Sequence, residues 1–331
     1  MHKAIIKSIF LLIIFSNHIF TKDLDNLFNI TIRINDESFD KNIDRSFNYL
    51  VFRLLGYQDL QKAMMLKGNY DSKDFLYNYS VINIDGSKFL QASFDEEIVI
   101  KQFIENGLSF IGRNRPVIFL DIQIDNGFNE PFKIESIPYE TKLESSLQRI
   151  FDDISEERGL FFEFPQNTIN IKKNAYFFED ENSNKFKEYK FDYLDSLFIS
   201  RSGINNWSLI YKDETSFFKS IDEMINSISL LFNELATNYL SDFILESSET
   251  SIVLKINKVK SVDNVDSLLD ALDKMISVKE YSITAFKKDQ ISIALKIFGT
   301  EEQFIKSVQN HKDFILEVST NDLIEASLNT L

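Results

Sequence analysis

Cysteine is absent from the chain. Disulfides, thiolate nucleophiles and a lipid-modified cysteine are therefore excluded. Histidine is nearly as scarce, with His2, His18 and His311 making up the whole complement. The first two lie in the N-terminal apolar stretch, so only His311 remains for the body of the protein. Zinc sites need several Cys or His ligands, and nucleophile triads need a histidine beside the nucleophile. His311 follows a helical stretch, where a cation complements the negative end of the helix dipole. Neither GxxxxGK[ST] nor GxGxxG occurs, so a nucleotide has no glycine cradle and no cofactor is expected. Positive charge is also short: 36 Lys and Arg face 51 Asp and Glu, and the formal charge of −15 disfavours nucleic acid as a partner. The chain is 44% apolar and free of low complexity, which places it among globular proteins.

One apolar run opens the chain. His2, Lys3 and Lys7 precede SIFLLIIFSNHIF, the order of a basic n-region and an h-region. The run is shorter than the ~20 residues of a membrane span. Residues 1–21 are read as a signal peptide. An uncleaved signal anchor is the alternative, because His18, Ile19, Phe20 and Thr21 depart from a small-x-small cleavage site. Loss of Lys3 and Lys7 with the signal takes the charge from −15 to about −17. An exported, periplasmic protein follows, held in the membrane only if its N-terminus stays in place.

Beyond residue 21 the patterning predicts an α+β protein of small αβ sandwich modules. In NITIRIND, Ile30, Ile32 and Ile34 alternate as in a half-buried strand. Ile43, Phe47, Leu50, Val51, Leu54 and Leu55 then recur at helical spacing before Gly56, a C-cap residue. A hairpin turning at Asp85-Gly86 follows, then a helix with a Ser93/Glu96 capping box, then a strand over residues 117–124. Residues 22–130 therefore read as a β-α-β-β-α-β sandwich. Pro131 and Pro138 mark a linker. Residues 140–245 form a middle αβ domain, with a helix ending at Gly159, the short strand LFFEF, a charged loop over 179–188, a hairpin around Gly203 and a long helix from Phe217 to Phe243. Residues 250–320 repeat the β-α-β-β-α-β order as a ferredoxin-like unit, with Ser261 or Asp263 capping one helix, a turn at Lys288-Asp289 and Thr300 capping the other.

Carboxylates supply the remaining chemistry. Asp121 and Asp125 share the polar face of one strand, as a glycosidase pair does across a cleft, although pairs on solvated faces are common in so acidic a chain. Asp152, Asp153, Glu156 and Glu157 lack the spacing and the loop glycine of an EF-type calcium site and read as a solvated helix face. Trp207 and Tyr211 could stack on a sugar, but aromatics in a hairpin ordinarily pack on the sheet.

The stretch GRNRPVIFLD (residues 112–121) is the most distinctive. Pro116 fixes φ and pushes Arg115 to an extended conformation, which launches a strand. In an acidic chain Arg113 and Arg115 are expected to pair with nearby carboxylates, and a functional role for Arg115 stays open. Together with VFRLLGY and the hairpin before it, this stretch resembles a family of exported gammaproteobacterial proteins, domain of unknown function 2066. The resemblance covers residues 28–130 and continues faintly through ERGLFFEFP and WSLIYKD. Arg53, Gly56, Gly112, Arg115 and Pro116 stand at the family's pattern positions, while Ile111 replaces the usual aromatic before the loop glycine. No catalytic residue comes with the resemblance. The expected function is a non-enzymatic binding or assembly module of the cell envelope with a protein partner. The alternative is a carboxylate-dependent hydrolase of a cell-wall glycan.

Overall fold

A computed structural model describes residues 22–35, 38–56, 71–84, 86–128, 130–134, 141–165, 191–203, 205–311, 313–320 and 323–329. The proposed signal segment 1–21, Asp85, Pro138 and the charged stretch 179–188 lie outside these residues. The architecture is α+β, with six α-helices among the described residues.

The first unit runs β1 (Lys22–Asp23), β2 (Asn29–Arg33), α1 (Phe39–Leu55), β3 (Leu76–Ile84), β4 (Ser87–Phe94), α2 (Glu96–Glu105), β5 (Phe110–Ile111) and β6 (Asn114–Arg115). Its main sheet has the order β2-β4-β3. Ile30 and Ile32 alternate into a core that also takes Phe47, Leu50 and Leu54 from α1. The capping box at Ser93 is not formed. Ser93 belongs to β4, and the Asp95 side chain caps α2 by accepting from the Ile98 N–H at 3.0 Å. An N-cap must sit immediately before the first helical turn, and Asp95 is the residue the hairpin leaves there.

β7 (Val117–Asp125) departs from the sequence expectation. It does not complete the first sheet but forms an inner strand of the second. Val117, Ile118, Phe119 and Leu120 are all at 0% exposure, so this run needs cover on both faces. The second unit continues with β8 (Phe132–Lys133), α3 (Lys142–Arg158), β9 (Phe161–Glu163), β10 (Tyr193–Ser202), β11 (Asn206–Tyr211), β12 (Glu214–Phe218), α4 (Ile221–Ser241) and β13 (Ile244–Leu245). Its sheet has the order β12-β11-β10-β7-β8, with β9 parallel to the start of β7 and β10 parallel along its length. Helices α3 and α4 meet over this sheet, Phe151 standing edge-on to Phe232 at 4.8 Å. The long helix begins later than its apolar pattern implies. Phe217 and Phe218 close the edge strand β12, and Ser220 caps α4 by accepting from the Glu223 N–H at 3.1 Å.

The third unit comprises β14 (Glu249–Asn257), α5 (Val262–Lys274), β15 (Val278–Lys287), β16 (Gln290–Phe298), α6 (Glu301–Asn310), β17 (Phe314–Thr320) and β18 (Leu323–Leu328). Ser261 and Thr300 are the helix caps. The sheet order is β15-β16-β14-β18-β17. A four-stranded β-α-β-β-α-β sheet would place β17 beside β14. Here β18, unforeseen in the sequence reading, lies between them, parallel to β14 and antiparallel to β17. Ile324 and Ala326, both at 0% exposure, explain its inner position.

The units share their cores. Leu245 and Phe298 enter the core of the first unit, and Phe298 meets Phe110 at 6.1 Å. Truncation after Thr320 removes an inner strand and exposes both β14 and β17. The third unit of the truncated chain is expected to become a protease-sensitive segment, and limited proteolysis followed by mass mapping checks this; resistance equal to that of the full chain would contradict the β18 pairing.

Candidate functional site at the arginine junction

The stretch 112–121 lies where the three units meet. A Cβ on Gly112 would approach Leu245 Cδ1 to 3.2 Å, so the backbone passes closely over the end of the second unit. Arg113 pairs with Glu96, as expected, and also donates to the Asp25 carbonyl at 3.0 Å. Asn114 donates to Ser307 Oγ of α6 at 2.8 Å. The Pro116 carbonyl accepts from the Phe161 N–H at the start of β9.

Arg115 corrects the expectation of a carboxylate partner. It is fully buried, and no carboxylate pairs with it among the described residues. Its Nη1 donates to the Arg158 carbonyl at 3.4 Å, and its Nη2 to the carbonyls of Arg53 and Ile111 at 3.2 and 3.3 Å. Arg53 and Arg158 lie in the last turns of α1 and α3, where carbonyls lack helical partners and the dipole is negative. Arg115 thus draws two helix C-termini onto one guanidinium. A carboxylate brought into so dry a site would add its own desolvation penalty, whereas these carbonyls are already buried and need donors.

Two more arginines are buried beside it. Arg53 Nη1 donates to the carbonyls of Asn26, Leu27 and Asn29, the last at 3.1 Å, and its Nη2 donates to the Glu156 carbonyl. Arg158 donates to Thr237 of α4 and stacks on Phe52 with its guanidinium carbon 4.6 Å from the ring centre. Burial lowers the Arg53 pKa to about 10, opposed by the attraction of Glu156. Burial lowers Arg115 well below the ordinary arginine value, and repulsion from Arg53 and Arg158 adds to the effect. The glycines that end the two helices make room for this. Gly56 has φ 62°, and a Cβ there would lie 3.0 Å from Arg158 Nη2; Gly159 has φ 68°, and a Cβ there would lie 2.5 Å from Leu24. Arg53, Gly56, Gly112, Arg113, Arg115 and Pro116 therefore belong to one structural neighbourhood. Arg158 was missed in the sequence reading, although it stands directly before a helix-ending glycine in ERGLFFEFP.

Beside the junction a cleft of about 700 Å³ opens between the β2 edge and α3. Arg33, Arg45 and Tyr49 line one side, and Asp153, Glu156 and Glu157 the other. Glu157 is partly buried and Glu156 more exposed, and desolvation raises both carboxyl values. Asp153 and the neighbouring glutamate raise Glu157 further, while Arg158 opposes the shift. A second cavity, of about 490 Å³, lies between Arg113, Leu245, Lys274 and His311.

The other candidates sit in ordinary structural settings. Asp121 accepts from Lys133 Nζ at 2.6 and 2.7 Å, and Asp125 accepts from the Gly127 N–H at 2.9 Å. Trp207 is buried in the core of the second unit. Tyr211 donates to buried Asp195 at 2.9 Å, and Tyr239 donates to the other oxygen of the same carboxylate. Burial and the Asp195 charge raise both phenol values. Asp195 was missed, although it falls in the same strand phase as Leu197 and Ile199. His311 is the residue that follows α6, as its position implied, with its ring 5.2 Å from that of Phe314. No group of three or more His, Asp and Glu is arranged to hold a metal ion among the described residues. No helix among them is long and apolar enough to cross a membrane. No family model and no curated protein matches the chain.

Arg115→Met leaves three buried carbonyls without their donor. Each such loss costs roughly 1–3 kcal/mol, and the weak geometry favours the low end, for a total of about 3 kcal/mol. A lower urea midpoint checks this, with Arg115→Lys restoring only part of it because one nitrogen cannot span the carbonyls. Glu157 gives a pH test. Its folded value lies above the ordinary 4.5, so the fold favours the protonated form. That contribution is present below the ordinary value and is lost as pH rises through the raised one. Glu157→Gln is therefore expected to raise the melting temperature at pH 7 through a gain in stability of less than ~1 kcal/mol, the limit for a half-exposed group. The advantage disappears on acidification, and calorimetry at both pH values reads it.

Proposed function

We propose that the chain is an exported, periplasmic protein of the cell envelope that works without catalysis, as a binding or assembly module with a protein partner. The observation that carries this reading is the placement of its most distinctive polar residues. Arg53, Arg115 and Arg158 are committed to main-chain carbonyls, a threonine hydroxyl and an aromatic face, and so hold units together instead of presenting reactive groups. The basic and apolar N-terminus supports export, and the chain's lack of cysteine suits a fold stabilised by its core alone. The acidic surface favours a partner with a basic face. The resemblance to the exported family named above rests on Arg53, Gly56, Gly112, Arg115 and Pro116, which cluster around this junction. Under the same reading the third unit is a ferredoxin-like sandwich enlarged by β18.

Co-purification from the native envelope after mild crosslinking tests the proposal. A discrete protein partner is expected, recovered with a chain whose N-terminal sequence shows cleavage or retention of residues 1–21. Recovery of the chain alone would overturn the binding reading, and recovery from the cytoplasm would overturn export.

A further inference from the structure

The cleft between β2 and α3 has two features that ask for the same ligand. The first is an open strand edge. β2 pairs with β4 on one side, and no strand pairs with it on the other among the described residues. The Ile34 N–H donates to the Lys88 carbonyl at 2.9 Å, and the Phe94 N–H to the Phe28 carbonyl at 3.0 Å. In an antiparallel ladder hydrogen-bonded pairs alternate, so the even-numbered residues of β2 face β4 while Asn29, Thr31 and Arg33 direct their main chain to the cleft. Arg53 caps the Asn29 carbonyl and Arg45 caps the Arg33 carbonyl. Thr31, between them, keeps both its N–H and its C=O directed into the open cleft.

The second feature is charge. Glu157 is partly buried and Glu156 exposed on the facing turn of α3, and no lysine or arginine forms an ion pair with either among the described residues. The nearby cations of the junction, Arg53 and Arg158, are directed to other acceptors. Asp153, on the same wall, is 3.8 Å from Arg149 at the surface. Opposite them, Arg45 is held by the Arg33 carbonyl and Asn42, and Arg33 is exposed. Two carboxylates that feel Arg53 and Arg158 but lie outside ion-pair distance of any cation among the described residues, facing a strand edge with a free donor and acceptor, match an extended peptide that carries a cationic side chain.

We propose that this cleft binds an extended segment of a partner protein, which pairs its main chain with Thr31 and places a lysine or arginine on Glu156 and Glu157. The site rests on the binding-module reading and names the partner's chemistry. The guanidinium caps on either side of Thr31 limit the added strand to a short one and keep the edge from open-ended pairing. The volume of about 700 Å³ suits a short segment and not a folded domain.

Fluorescence anisotropy on the full chain tests the site with a labelled peptide of alternating lysine and threonine. Saturable binding is expected, weakened about tenfold or more by the double substitution Glu156→Gln and Glu157→Gln. A second probe, the same peptide with alternate amides N-methylated, should fail to bind, because it keeps its charge but cannot pair with a strand. Undiminished binding of either the variant or the methylated peptide would overturn the inference, as would equal binding of a glutamate-threonine peptide or no saturable binding of the lysine peptide. If the double variant still recovers the same envelope partner, the cleft falls as the docking site while the binding-module reading stands.

Discussion

The structure depends on one buried cation and the two helix ends it holds. A fully buried guanidinium is tolerable only where donors meet acceptors and its charge is offset. Arg115 largely meets these conditions without a carboxylate: its Nη atoms reach C-terminal carbonyls of α1 and α3, which carry roughly half a negative charge each, while its Nε is buried without an acceptor among the described residues. The two ends together offset about one positive charge. Arg53 and Arg158 add two more cations to the same region, and burial with mutual repulsion draws Arg115 below its ordinary value. Their own partners are loop carbonyls, the Glu156 carbonyl, Thr237 and the Phe52 ring, while the Nε atoms of both are buried without an acceptor among the described residues.

That junction sets the rest of the geometry. Because Arg115 belongs to β6 and Pro116 leads directly into β7, the residue that joins α1 to α3 also fixes where the inner strand of the second sheet begins. Asn114, one residue earlier, ties the same segment to α6 of the third unit. Phe298 and Leu245 complete the first core from outside it, so the three units are packed parts of one body and not beads on a linker. The cleft beside Thr31 follows from the same constraint. Its two walls are the β2 edge with α1 and the last turns of α3, and the spacing between α1 and α3 is the spacing Arg115 imposes.

Local features were readable where the chemistry is local. Ser261, Thr300, Gly56 and Gly159 cap helices as their types and positions imply, because a cap is decided within a turn. The hairpin at Lys288-Asp289 was readable for the same reason, and Lys288 takes the positive φ of 52° that the turn requires. Partner choice was not readable. The run at 117–120 could close one sheet or cross another, and nothing in its pattern distinguishes the two. The short strand LIEASL near the end was overlooked because its significance lies in its neighbours, β14 and β17. Phe217 fits both the apolar stripe of a helix and the end of an edge strand, and Ser220 decided between them.

For the arginines, the sequence by itself determined that GRNRP enters a strand and that glycines end the helices before and after it, since proline and glycine act on their own backbone. It also excluded thiol, disulfide and multi-histidine chemistry by composition alone. Only the tertiary structure decided that Arg113 pairs with a carboxylate while Arg115, two residues away, takes helix carbonyls. The reason is burial: Arg113 keeps contact with water, where a surface ion pair forms at little penalty, and Arg115 does not. Which acceptors surround a buried donor depends on how distant helices are brought together, and no neighbouring residue in the chain records that.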